Sequence, residues 1–153
     1  MDGLKDVDKR LLNLLQDEDS CVPRITALAH KLGLPTSTVN TKLEKFRKMG
    51  IIKGYTALLD PAKLGRGFVA YKLGAKKFHD PKDLDDIGKK LAAIPEAQEV
   101  YFLVGEWDYI VKIRLKDEAE YVKVAPKAAI LLDACKGIIA PKCFKDTHRI
   151  LIE

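Results

Sequence analysis

The sequence predicts an α+β chain in two parts, a helical unit followed by a four-stranded sheet with two helices. Apolar residues recur at helical spacing through the first 48 residues, and strand-like segments rich in Val, Ile, Tyr and Phe follow from residue 66. Between them, Asp60-Pro61 and Gly65 interrupt regular structure, as a connector would. We therefore divide the chain into residues 1–54, a connector over 55–65 and residues 66–153.

Charge is distributed unevenly along the chain. The net charge of +5 over 153 residues is modest, but residues 2–19 carry a net −3 whereas residues 24–53 carry a net +6. A local excess of this size is expected on a surface that faces phosphates.

The cysteines and the hydropathy pattern favour a cytoplasmic protein. Cys21, Cys135 and Cys143 are odd in number and fit no paired metal-ligand spacing, so we expect reduced thiols and no metal site. The sequence has no apolar signal segment near its first residue. It also has no apolar run near the roughly 20 residues that a membrane span requires. We therefore expect no membrane partner.

Two helices are expected in the first 33 residues. Residues 4–16 place Val7, Leu11 and Leu14 at helical spacing. Residues 25–32 give a second apolar face, which Gly33 ends by supplying a left-handed residue.

A third helix should follow after a tight turn. Val39, Leu43 and Phe46 lie at i, i+4 and i+7 and define its buried side. Gly50 ends this helix, and Ile51-Ile52 begins an extended segment. Two short helices joined by a tight turn and followed by an extended wing are typical of a winged helix-turn-helix, a DNA-reading fold.

The third helix carries polar side chains opposite its apolar stripe. Hydroxyls and an amide can reach base edges, whereas lysines and the helix N terminus suit phosphates. The candidate DNA-binding residues are Thr36, Ser37, Thr38, Asn40, Thr41, Lys42, Lys45 and Lys48. The alternative is an ordinary solvated helix, because any surface helix is polar on its outer side.

The second part should form a ferredoxin-like β-α-β-β-α-β domain. In its first strand, Val69, Tyr71 and Leu73 share one face and Phe68, Ala70 and Lys72 the other. A helix capped by Asp80-Pro81 follows. The remaining predicted elements are strands over 97–104 and 109–115 with a turn over 105–108 between them, a helix over 117–135 and a last strand over 143–152. Two helices would cover one sheet face, and a second copy of the chain could cover the other, which predicts at least a dimer.

Several motifs together resemble the Lrp/AsnC family of transcriptional regulators over nearly the whole chain. They are VDKRLLNLLQ at 7–16; Leu28-Ala29, Leu32-Gly33-Leu34 and Ser37-Thr38-Val39; Gly50-Ile51-Ile52 with Gly54-Tyr55; Leu64-Gly65; and Gly105, Asp108 and Tyr109. The order and spacing of these motifs are more specific than any one of them.

The resemblance implies a winged helix-turn-helix that binds double-stranded DNA and a domain that forms dimers and, in the family, octamers. It implies an amino-acid effector, and no other cofactor, bound near the residues Gly105, Glu106, Trp107, Asp108 and Tyr109. A carboxylate there can pair with an α-ammonium, and the amides of a glycine turn can receive an α-carboxylate. The alternative is a simple hairpin turn.

The chain departs from the family pattern in three places, one of which is the arginine between the first two helices, which has no clean match here. Pro35 stands where the third helix usually has a serine N-cap, so we expect Thr36 or Leu34 to form the boundary. Of the threonines that help to shape the family's effector pocket, only Thr147 is left. These departures predict a changed DNA register and a changed or absent effector.

Three functions compete at this stage. The first is a sequence-specific regulator modulated by a small molecule, and the second is an architectural protein that wraps DNA with little sequence preference. The third is an enzyme similar to sirohaem decarboxylases, which have a histidine in the hairpin turn. Here the turn reads GEWDY and has none, and we find no nucleophile-base pair or phosphate loop, so we expect no enzyme.

Overall fold

The computed structural model describes residues 5–15, 24–77 and 80–152. Its elements are helices α1 (Asp6–Leu14), α2 (Ile25–Leu32) and α3 (Thr36–Lys48), then β1 (Phe68–Ala75), α4 (Pro81–Ala92), β2 (Ala97–Phe102), β3 (Tyr109–Leu115), α5 (Glu118–Ala129) and β4 (Ala134–Ala140). The chain divides into two compact units. One comprises residues 1–59 with 146–153, and the other residues 60–145.

The first unit is the predicted three-helix arrangement. Leu11, Leu28, Val39 and Phe46 are fully buried and form the centre of its core. Gly33 ends α2 in the left-handed conformation, with φ 65°, as the sequence predicted.

The start of α3 differs from the prediction. Pro35 itself is the N-cap, and Thr36 is the first helical residue, so neither Thr36 nor Leu34 forms the boundary. The proline ring fixes φ near the −59° observed, and its extended ψ of 144° is the backbone that an N-cap needs. Proline offers no oxygen in its side chain, so the first amides of α3 have no side-chain cap.

The predicted wing strand is absent from this part of the chain. Gly50, with φ 69°, ends α3, but the described residues from 51 to 67 form no strand. The segment that Ile51-Ile52 begins is therefore not paired as a strand in the described residues.

The second unit is the predicted β-α-β-β-α-β domain. Its four strands lie in the order β2-β3-β1-β4, and every neighbouring pair is antiparallel. The core combines Leu91 of α4 with Val111, Ile113 and Leu115 of β3 and Val124 of α5. The cap of α4 is also as predicted, because Asp80 accepts a hydrogen bond from the Lys82 amide over 2.8 Å.

The two faces of the sheet differ in their cover. Phe68, Ala70, Lys72 and Gly74 of β1 lie opposite the core residues of β3, on the face that the helices cover. The other face carries Val69, Tyr71 and Leu73, together with Ile110 of β3 and Ile138 of β4. The same face also carries the charged residues Lys112, Arg114 and Lys136, and on it Val69 is buried whereas Ile138 is 41% exposed.

The last helix and strand were placed wrongly by the sequence. The helix predicted over 117–135 ends at Ala129, and the strand predicted over 143–152 is instead Ala134–Ala140. Gly137 lies at the centre of the true strand because Tyr121 of α5 packs over it, and a Cβ at Gly137 would collide with the tyrosine hydroxyl. The division into units differs accordingly, because residues 146–153 group with the helices and not with the sheet.

Two further expectations concern the thiols and the membrane. Cys135 and Cys143 are free and exposed, and Cys21 lies outside the described residues. No helix in the described part of the chain is long and apolar enough to cross a membrane.

Candidate DNA interface and ligand turn

Helix α3 presents the predicted polar face to solvent. Val39, Leu43 and Phe46 turn into the core and fix the rotation of the helix. The structure leaves six of the eight predicted residues exposed, namely Thr36, Ser37, Asn40, Thr41, Lys45 and Lys48, and leaves Thr38 and Lys42 half-buried. The eight residues therefore lie on one helix and outside the apolar stripe.

Five of these residues surround one open depression of about 380 Å³. It is lined by Ser37, Thr38, Thr41, Lys42 and Lys45. Hydroxyl groups and ammonium groups therefore lie side by side on one open surface of α3, the combination that base edges and phosphates require.

Local hydrogen bonds orient part of this surface. The Thr41 hydroxyl donates to the carbonyl of Ser37 over 3.0 Å, so its lone pairs remain to accept from a base. The Asn40 amide lies 3.5 Å from a Glu44 carboxylate oxygen, at the limit of a hydrogen bond. The uncapped amides at the start of α3 favour a phosphate nearby.

The three lysines of the site differ in their partners. Lys42 donates to the Asp8 carboxylate over 2.5 Å, so its charge is already paired. Lys45 and Lys48 are exposed, and no described residue forms an ion pair with either of them. Lys45 and Lys48 are thus the freer candidates for phosphates, and a phosphate role for Lys42 stays a prediction.

Asp8 is buried yet charged. Burial raises its pKa, but the hydrogen bond from Lys42, the Lys5 amide at 3.0 Å and the charges of Lys42 and Lys45 outweigh burial. The net result is a pKa below the usual value for an aspartate. Asp8 therefore ties α1 to the helix that carries the DNA candidates.

The predicted effector residues form the turn between β2 and β3. Gly105 and Glu106 are exposed, while Trp107 and Asp108 are half-buried. Tyr109 is only 1% exposed, and its hydroxyl donates to the Leu84 carbonyl over 2.6 Å. Burial raises the pKa of Tyr109. Tyr109 therefore anchors the turn in the core and does not offer its ring to solvent.

Asp108 joins the turn to the end of β1. Its amide donates to the Gly74 carbonyl over 2.9 Å, and its carboxylate accepts from the Lys76 amide over 2.8 Å. The Lys76 ammonium in turn contacts Asp133 at 2.7 Å, and this hydrogen bond lowers the pKa of Asp133. One oxygen of Asp108 is thus already used to hold the turn in place.

Sequence reasoning missed Asp8, Lys76 and Asp133. Asp8 and Lys42 are 34 residues apart, and Lys76 and Asp133 are 57 apart. No local pattern links such residues, although the acid in the first turn of α1 was visible as a helix-dipole partner. Among the described residues, no group of His, Cys, Asp or Glu could hold a metal ion.

Two family models match the chain, one mainly in the helical unit and one in the unit that contains the sheet. A model for a winged helix-turn-helix DNA-binding domain matches residues 4–53, and one for the Lrp/AsnC ligand-binding domain matches residues 76–128. The second match includes the turn over 105–109. These matches define a helix-turn-helix regulator with a ligand-binding domain.

Relatives agree with this class. The HTH-type transcriptional regulator FL11 of Pyrococcus horikoshii is 33% identical over 120 residues, covering 76% of this chain and 74% of that protein. The proline dehydrogenase transcriptional activator of Rhodobacter capsulatus is 35% identical over 117 residues, covering 76% and 75%. The chain therefore belongs to the Lrp/AsnC family of transcriptional regulators.

Solved structures share its fold. An AsnC family transcriptional regulator from Agrobacterium tumefaciens aligns with a TM-score of 0.89 at 23% identity, covering 96% of both chains. The transcriptional regulator NMB0573 of Neisseria meningitidis, in complex with L-Met, aligns with a TM-score of 0.85 at 19% identity, again covering 96% of both.

Proposed function

We propose that this regulator reads a specific DNA sequence with α3 and that an amino acid modulates its binding. The observation that supports this most directly is the depression lined by Ser37, Thr38, Thr41, Lys42 and Lys45. Thr41 and its neighbours supply donors and acceptors for base edges, while Lys45 and Lys48 supply charge for phosphates. Such a protein acts where DNA is, in the cytoplasm, and has no catalytic role.

The open sheet face supports a homodimer. Tyr71, Leu73 and Ile110 are half-buried and Ile138 is exposed, and they form the apolar part of this face. A second copy laid face to face would bury this surface and place two reading helices in one assembly. Two copies of α3 would then read half-sites about one helical turn, or a multiple of it, apart. Assembly to an octamer follows from the family resemblance.

The turn over 105–109 supports the effector site. The solved structure of NMB0573 from Neisseria meningitidis is a complex with L-Met, and we carry an amino-acid ligand over to this chain. Because one oxygen of Asp108 holds the Lys76 amide, the exposed Glu106 carboxylate is the better partner for an α-ammonium. The exposed Gly105 and its neighbouring amides would receive the α-carboxylate.

A DNA titration tests the reading function. The probe is the fragment upstream of the gene for this protein, with excess random competitor and at two salt concentrations. We expect binding that survives the competitor, with a footprint that repeats near one helical turn. Binding that the competitor abolishes would favour the architectural alternative for this target. Absence of binding at low salt would contradict the role of α3.

A further inference from the structure

The segment after β4 returns to the helical unit. The Asn13 side chain of α1 donates to the Ile152 carbonyl over 3.1 Å, although the two residues are 139 positions apart. The Ile152 side chain packs against the buried cluster that contains Leu11 and Leu12. The end of α1 therefore provides a docking surface for residue 152.

Two neighbouring residues of this segment differ in burial. Leu151 is 74% exposed, whereas Ile152 beside it is half-buried. Leu151, an exposed aliphatic residue, can therefore serve as the control for the packed Ile152.

We propose that residues 146–152 form a strap that completes the core of the DNA-binding unit and ties it to the ligand-binding domain. The chain then passes between the two units twice, once after Leu59 and once before Asp146. The connector is the first link and the strap is the second. Any change in the ligand-binding domain can therefore act on the DNA-binding unit from both ends.

Helix α1 connects the strap to α3, the helix that is proposed to read DNA. It contacts Ile152 through Asn13, and it contacts Lys42 of α3 through Asp8. A displacement of the strap would reach α3 through this one helix. This coupling rests on the proposed reading function, whereas completion of the core by the strap does not.

Hydrogen exchange of the whole chain tests the strap without DNA. Ile152→Ala should raise the exchange rates of amides in α1 and α2 about fivefold, because loss of a half-buried aliphatic side chain favours opening of this unit. The matched variant Leu151→Ala should leave these rates unchanged, and neither variant should affect amides in β1 and β3. Unchanged rates in Ile152→Ala would overturn the proposal.

Dilution distinguishes the chain's own strap from one supplied by a second copy. Protection of α1 in the unaltered protein should not depend on concentration over about a hundredfold range, because an intramolecular contact is concentration-independent. Loss of that protection on dilution would mean that the partner supplies the segment, and it would overturn the proposal.

DNA affinity tests the coupling. We expect Ile152→Ala to weaken specific binding about two- to tenfold with an unchanged salt slope, because no cation is removed. Leu151→Ala should not change the affinity. If Ile152→Ala shows faster exchange in α1 but unaltered DNA affinity, the coupling is contradicted, whereas completion of the core by the strap is still supported. Failure of the unaltered protein to bind specific DNA would contradict the proposed function, and with it the coupling, but not the exchange result.

Discussion

Lys42 of the reading helix donates to the Asp8 carboxylate of α1 across 2.5 Å, and the Asp8 side chain is almost completely buried. Asp8 also accepts from the Lys5 amide over 3.0 Å, so both of its oxygens are occupied. A carboxylate taken out of water needs such partners, because an unpaired buried charge is strongly unfavourable. The pair thus fixes α3 against α1 by charge as well as by apolar packing.

Removal of the Asp8 charge should destabilise the DNA-binding unit. We expect Asp8→Asn to lower its free energy of unfolding by roughly 1–3 kcal/mol, because Lys42 loses its anion while still partly covered. The unfolding midpoint measured by the helical circular dichroism signal should shift. The midpoint measured by fluorescence of Trp107, the one tryptophan in the chain, should report an unchanged second unit. Asp6→Asn alters an exposed acid of the same turn and is the matched control. Equal shifts for the two variants would contradict this account.

The same pair should make the unit sensitive to acid. Because the pKa of Asp8 is below its ordinary value of 3.8, its stabilisation is complete above that value. The stabilisation disappears as the pH falls through the lower pKa of the folded state. The stability difference between the unaltered protein and Asp8→Asn should therefore shrink as the pH falls from about 4 to about 2. Urea unfolding at several pH values measures it, and a constant difference would show that Asp8 does not titrate in this range.

Local periodicity was enough to predict most of the fold. The stripe of Val39, Leu43 and Phe46 placed α3 and its polar face correctly, because burial of one helix side fixes the direction of every other side chain. The Asp80-Pro81 cap and the order of strands and helices were likewise visible, since they depend on neighbouring residues.

Features that depend on distant contacts could not be predicted in this way. The strand β4 lies over Ala134–Ala140 and not over 143–152, and its Gly137 leaves room for Tyr121 of α5. The partners of Lys42 and Asp108 come from other elements, and only the folded chain brings them together. The sequence therefore indicated which residues could form the site, but not which of their charges and oxygens were already in use.

Two substitutions in α3 should separate sequence-specific DNA affinity from nonspecific electrostatic affinity. Thr41→Ala removes a hydroxyl in the depression and should relax preference at one base position by about 1–3 kcal/mol. Lys45→Ala should weaken specific and random DNA alike and flatten the salt slope by roughly one unit. Competition titrations at several salt concentrations measure both, with Lys90→Ala on α4 as the control for lost charge. Equal losses on specific and random DNA for Thr41→Ala would argue against its assignment.

The packing of α5 against β4 should be disturbed when one methyl group is added at Gly137. Gly137→Ala places a Cβ where the Tyr121 hydroxyl lies, so we expect the second unit to lose about 1–3 kcal/mol. Tyr121→Phe in the same chain removes that hydroxyl and should recover part of the loss. Trp107 fluorescence during urea unfolding follows this unit, and Gly88→Ala, whose Cβ meets only ordinary contacts, serves as the control. No rescue by Tyr121→Phe would show that the strain has another cause.

The ligand turn should distinguish the roles of its two acids. Glu106→Gln removes an exposed charge that no described fold contact uses, so we expect weaker binding of an amino acid by about tenfold or more at unchanged stability. Asp108→Ala should also lower stability, because the Lys76 amide loses its acceptor. Calorimetric titration with L-methionine and then with the other amino acids measures the affinity, and Glu118→Gln, an exposed acid on α5, is the control. Equal affinity in Glu106→Gln would contradict the role of Glu106. An unaltered protein that binds none of these amino acids would contradict the proposed effector itself, because the turn would then serve the hairpin alone.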